Sequence, residues 1–101
     1  MNQWDVFTWQ DHPAVIVSHP ERIAHKEVIN VLSCTTQRAA RPPRSYEVLL
    51  NSADGLDWET LCRCDLLYSV AKADLGRRRG RITPERQRQI ISKIIQSMGW
   101  V

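Results

Sequence analysis

The sequence predicts a mainly β protein: a small barrel-like sheet with one helix packed on it. Three observations carry this. Runs of strand length, rich in β-branched and aromatic residues, recur between turn signals over the first two-thirds of the chain. One segment near the end, 84–98, has apolar residues at helical spacing. The 101 residues are 43% hydrophobic, which suits one folded domain, 1–101, with a small core.

In chain order, "WDVFTW" (4–9) alternates in character and reads as the first strand. "QDHP" (10–13) is a tight connection, and "AVIVS" (14–18) is a continuous apolar run suited to the centre of a sheet. "HPERIAHK" (19–26) reads as a polar loop, followed by the long β-rich run "EVINVLSCTT" (27–36). "QRAARPPR" (37–44) has paired prolines and cannot be helical throughout. "SYEVLL" (45–50) is the next strand, "NSADGLDWE" (51–59) a turn-rich connection, and "TLCRCDLL" (60–67) the fifth strand. "YSVAKADLGRRRGR" (68–81) is ambiguous: its first half has helical propensity, and Gly76 and Gly80 punctuate the rest. Thr83 is a good N-cap, Pro84 suits the first helical position, and Glu85 suits the first turn. A helix over 84–98 follows, with Ile90, Ile91, Ile94, Ile95 and Met98 as its packing stripe and Gly99 as its stop.

Several function classes fall away. No run approaches the length needed to span a bilayer. The first residues lack the basic-then-apolar order of a signal peptide, so a cytoplasmic protein is expected. Cys34, Cys62 and Cys64 are an odd count, two of them at C-x-C spacing, which is a poor disulfide framework and a poor zinc motif. Buried free thiols are expected, with no metal and no cofactor. No serine sits in a nucleophile-elbow context, and no glycine-rich phosphate loop is present. The net charge is +3, yet the segment 77–101 alone carries +6 and the remainder −3. Such a basic end suits a polyanion or an acidic partner.

The chemistry-bearing residues cluster at predicted strand ends. In "TLCRCDLLY" (60–68) strand alternation puts Arg63 and Asp65 on one face and Cys62 and Cys64 on the other. Two readings fit: a surface ion pair, or a pair of catalytic groups. Thr35, Thr36 and His12 are the other polar candidates, and each reads equally as a plain β-former or turn residue. Cleaving RNA needs a base for the 2′-hydroxyl, an acid for the leaving 5′-oxygen and a cation beside the phosphate. An Asp or His base, an Arg cation and a Thr hydroxyl suffice, and the 2′-hydroxyl makes such a site RNA-specific. Arg38, Arg41 and Arg44 of the proline loop, and Arg77, Arg78 and Arg79, offer either phosphate contacts or a solvated surface. Trp58, in a polar loop, is the aromatic side chain best placed to stack on a base.

"CTTQ" (34–37), "YEVLL" (46–50), "RCD" (63–65) and "GRITPERQRQIISKI" (80–94) fall in the order and spacing of the MazF/PemK (Kid) toxins, and "HPAVIVS" (12–18) resembles that family's second strand. The resemblance spans nearly the whole chain. It implies an SH3-like barrel of the CcdB/MazF type and a homodimer. The activity it implies is metal-independent cleavage of single-stranded RNA, usually messenger RNA, to a 2′,3′-cyclic phosphate and a 5′-hydroxyl. It also implies an acidic antitoxin that blocks the RNA groove. In PemK-like members the Arg and Asp of "RCD" are acid and base, which assigns those roles to Arg63 and Asp65, and the Thr after the third strand, Thr35, orients phosphate. The chain departs from the family in the short "QDHP" link, where members carry a long glycine-rich loop, and in His12, where many have Arg. Two other functions remain open: a CcdB-like protein-binding toxin, since the chain ends "MGWV", and a barrel that binds nucleic acid without cutting it.

Overall fold

The computed structural model describes residues 1–37 and 41–100. Seven strands, β1 (Asp5–Trp9), β2 (His12–Ile16), β3 (Val28–Thr36), β4 (Glu47–Leu50), β5 (Thr60–Arg63), β6 (Tyr68–Ala71) and β7 (Arg78–Arg81), combine with two helices, α1 (Pro20–His25) and α2 (Pro84–Met98). The strands run antiparallel in the order β4-β5-β3-β2-β1-β7, with β6 also on β3. The nine-residue β3 is the spine. One of its edges pairs with β2. The other is shared, with Val28–Val31 facing β6 and Cys34–Thr36 facing β5.

This sheet buries both faces. The inner face packs Val6, Val15, Leu32, Cys34, Val48 and Cys62 against Ile82 and against Ile90 of α2. The outer face packs Ala14, Ile16, Ile29 and Val31 under Ile23 of α1, flanked by Phe7, Trp9 and Tyr68. Burial on both sides is why β2 reads as an unbroken apolar run instead of an alternating one.

The sheet closes on itself where β4 leads into a short 3-10 turn, Ser52–Asp54, that docks on β7. Asn51 caps the turn by accepting the Ala53 N–H at 3.0 Å. The Asp54 carboxylate, 1% exposed, accepts the N–H of Asn51 and that of Thr83, each at 3.1 Å. The turn comes so close to β7 that a Cβ on Gly80 would lie 2.1 Å from the Asp54 carbonyl oxygen. Only glycine leaves room there. Thr83 then caps α2, its hydroxyl accepting the Arg86 N–H at 3.4 Å, and Gly99 at φ 70° ends the helix.

Five sequence expectations need correction. The segment 19–26 is not a loop throughout: His19 Nδ1 accepts the Glu21 N–H at 3.1 Å, Pro20 starts α1, and Ile23 is buried. The β1–β2 link is only Gln10 and Asp11, at φ 50° and 64°, the backbone of a two-residue hairpin turn. His12 and Pro13 already belong to β2, and the β2–β3 ladder stops one residue after Pro13, which has no N–H to give it. The stretch 68–81 holds β6, a 3-10 turn at Lys72–Asp74 and β7, so helical character survives only in one short turn; pairing of Val70 with Ile29 buries both and makes 68–71 a strand. The fifth strand ends at Arg63, and 64–67 carries the chain across to β6. On α2 only part of the isoleucine stripe is core. Ile90 is buried and Ile94 packs on the inner cluster, but Ile91 is 45% exposed. Among the described residues no helix is long and apolar enough to cross a membrane.

Gly80→Ala is expected to cost about 2–3 kcal/mol in urea unfolding, because the neighbour it meets is backbone and cannot swing aside. A wild-type midpoint for this variant would show that the 3-10 turn does not close the barrel.

Candidate functional site

Alternation along β5 places the site. Cys62 and Cys64 point inward and are fully buried, so Arg63 and Asp65 point out together. β5 ends at Arg63, but the Cys64 N–H still donates to the Tyr46 carbonyl at 2.8 Å, which holds the chain in line for one more residue before it bends at Asp65. Arg63 grips Asp65 with two parallel bonds: Nε to Oδ1 at 2.6 Å and Nη2 to Oδ2 at 3.1 Å. The guanidinium also lies 5.5 Å from the centre of the Tyr46 ring. The side chains are 51% and 28% exposed, so the pair is open to a ligand.

The same contact sets the charges. Hydrogen bonding from Arg63 holds the Asp65 carboxyl below its usual range, against a smaller opposing effect of burial. Hydrogen bonding to Asp65 raises the Arg63 guanidinium further, aided by the carboxylate's charge. Both groups are ionised at neutral pH, and Arg63 is in no position to release a proton.

A second ion pair sits beside the first. Glu47 is the cross-strand partner of Arg63. It is 8% exposed and accepts both Nη atoms of Arg41, at 2.8 and 2.9 Å, and the Arg44 N–H at 2.8 Å. Arg44 in turn donates to the Tyr46 hydroxyl at 3.2 Å. Glu47 therefore ties the end of the proline loop to the site. Sequence reading missed this role, although Glu47 is the sole carboxylate in 37–50 beside three arginines.

Thr35 is exposed on the outer face of β3, opposite Leu61 and one step along that face from Arg63. Such diagonal neighbours lie roughly 7–8 Å apart, their Cβ atoms somewhat closer. His12 is exposed at the start of β2; the β2–β3 register continued past Ala14 sets it on the same face, opposite Thr35. The tilted Trp9–Tyr68 pair, 5.1 Å between centroids, borders this area, meeting across strands that carry the small residues Ala14 and Ser33 there.

Other predicted residues lie elsewhere. Thr36 pairs with Thr60 and faces the opposite side of β3 from Thr35. Trp58 is 66% exposed, but it stands at the other end of β5 from Arg63. Arg77, Arg78 and Arg79 are on or beside β7, at the far end of the strand order, where Arg78 contacts the buried Asp5. Arg38 lies outside the described residues. The cysteines are free and buried, and hydrogen bonding with the neighbouring thiols, together with burial, pushes Cys62 well up. Among the described residues no group of three His, Cys, Asp or Glu is arranged to hold a metal ion.

Comparison with known proteins places this geometry in a family. A family model described as PemK-like, MazF-like toxin of type II toxin–antitoxin system matches residues 8–98. The fold is similar to that of an endoribonuclease from Mycobacterial species, with TM-score 0.85 and 22% identity over 98% of this chain and 91% of that one. A structure of an endoribonuclease in complex with its cognate antitoxin, also from Mycobacterial species, aligns with TM-score 0.82 and 20% identity over 98% and 93%. A MazE–MazF structure from Deinococcus radiodurans aligns with TM-score 0.80 and 13% identity over 100% and 98%. A search of curated proteins by sequence finds no match.

The Arg41–Glu47 contact has a pH signature. Arg41 depresses the Glu47 pKa, so the stability Glu47 contributes is present above the ordinary carboxylate range and is lost as pH falls through its lower folded value. Glu47→Gln is expected to melt below the wild type at pH 7, with the gap closing below about pH 4. Parallel melting curves across that range would count against the contact.

Proposed function

Because the chain belongs to the family of PemK-like, MazF-like toxins of type II toxin–antitoxin systems, we propose that it is an endoribonuclease that cuts single-stranded RNA with its own side chains. The observation that carries this is the exposed, doubly bonded Arg63–Asp65 pair, with Thr35 on the same face. A scissile phosphate takes the Arg63 fork in place of Asp65, since a guanidinium binds phosphate and carboxylate with the same geometry. That exchange also frees the base. Asp65 is weakly basic chiefly because Arg63 donates to it, and losing that bond raises its affinity for a proton.

Asp65 then removes the 2′-hydroxyl proton, and the oxygen attacks the adjacent phosphorus. The bond to the 5′-oxygen breaks, and that oxygen takes a proton from His12 or water. The products are a 2′,3′-cyclic phosphate and a 5′-hydroxyl. Arg63 stays charged and stabilises the oxygens of the transition state. Thr35 donates its hydroxyl to a phosphate oxygen, and Arg41 and Arg44 hold the flanking backbone. An acidic antitoxin segment would compete for these same cations. Support for such a partner comes from the similar fold seen in complex with a cognate antitoxin. The small core and the exposed Ile91 and Trp100 favour a homodimer. Exposure of Trp100 beyond α2 also suits the CcdB-like reading, in which the C-terminal residues grip a protein target.

One gel of RNA cleavage in EDTA separates these readings. Wild-type protein is expected to cut, while Asp65→Asn and Arg63→Ala each lose about a hundredfold or more with unchanged unfolding curves. His12→Ala is expected to slow cutting about tenfold if it supplies the leaving-group proton. A folded, antitoxin-free protein that leaves every RNA intact, yet loses toxicity on deletion of residues 99–101, would establish the protein-binding reading instead.

A further inference from the structure

Sharing no residue with the Arg63–Asp65 site, the N-terminal segment, α1 and β7 enclose a groove of about 890 Å3, within the size range of small-molecule sites. Its charge is one-sided. Lys72, Arg78 and Arg81 line it, and the one carboxylate in the lining is Asp5, 2% exposed. Asp5 acts as a positioning group. Its Oδ1 takes one bond from Arg78 and one from Arg81, both at 3.4 Å, and its Oδ2 takes the Asn2 N–H at 2.8 Å. Bonds of 3.4 Å are weak and leave most of the guanidinium N–H donors unspent. Arg81 is steadied further by the Gln3 carbonyl at 3.0 Å, and Lys72 by the Ile23 carbonyl at 2.6 Å. The result is two guanidiniums gathered on one carboxylate, with the Lys72 ammonium held in the same groove.

Besides the polar Asn2 and Gln3, the rest of the lining is apolar. Trp4, Ile23 and Ala24 contribute to it. Trp4 has φ 73°, unusual for an aromatic residue, and keeps it because its N–H bonds the Ile16 carbonyl at 2.7 Å and its carbonyl accepts the Ile82 N–H at 2.9 Å. The N-terminal segment is thus fixed as a wall. A flat apolar group would use the wall, and a phosphate would use the guanidiniums. A bare anion leaves the wall unused, and an acyl chain leaves the cations unused.

We propose that this groove binds a nucleoside phosphate, either free or as part of an RNA strand, independently of the Arg63–Asp65 pair. The test is an NMR titration of the full chain with adenosine 5′-monophosphate, adenosine, inorganic phosphate and an uncleavable 2′-O-methyl tetranucleotide. The monophosphate is expected to shift the amides of residues 2–5 and 23–24 saturably, and at least about tenfold more tightly than adenosine or phosphate alone. The Lys72→Ala/Arg81→Ala double variant weakens this about tenfold or more, and Ala24→Trp, which fills the groove without touching a cation, does the same. The same shifts with the tetranucleotide only assign the site to an RNA strand. Absence of shifts with both, shifts that both variants leave intact, or equal binding of inorganic phosphate, would overturn the proposal. The readout is binding, so it stands or falls separately from RNA cleavage.

Discussion

A single buried carboxylate closes this molecule. Asp54 accepts one N–H from its own 3-10 turn and one from Thr83, and so joins the segment after β4 to the segment after β7. These are the two ends of the strand order. Without that bridge the sheet has two open edges and the inner core is exposed along one side. With it, Thr83 is set to cap α2, Ile90 reaches the inner cluster, and Gly80 must stay small enough to let the turn in. Closure, helix docking and core packing are consequences of the same few atoms.

The candidate site follows from how β3 is shared. Two strands divide one edge of it, and the chain must cross between them after Arg63. Inner-face packing holds Cys62 and Cys64, while Arg63, the last residue of the β4–β5 ladder, and Asp65 just past it project from the other face. Both side chains stay open to solvent there, at 51% and 28% exposure. Glu47 then pairs with Arg41 beside them, so a second, oppositely ordered ion pair borders the first.

Local information in the sequence was enough for the parts that depend on neighbours in the chain. Alternation through 60–65 separates Arg63 and Asp65 from the cysteines, and the structure keeps that separation. The α2 caps, Thr83 and Gly99, are likewise local signals and hold. What depended on distant partners was not legible. β6 is a strand because β3 offers it an edge, while the helix-favouring residues just after it form only a 3-10 turn. Ile91 is left exposed because α2 rests chiefly on the single strand β4, a support too narrow for the whole stripe. The role of Glu47 needed Arg41 to fold back onto it, and the placing of Arg78 and Arg79 on β7, beside β1, needed the strand order.

The three sulfur atoms inside the barrel have a further consequence. Cys34 and Cys62 are direct cross-strand partners, Cys64 follows two residues on, and none meets solvent. A small alkylating reagent can reach them only while β3, β4 and β5 are apart. Their labelling rate therefore reports spontaneous opening of that part of the sheet, from thiols the native chain already carries.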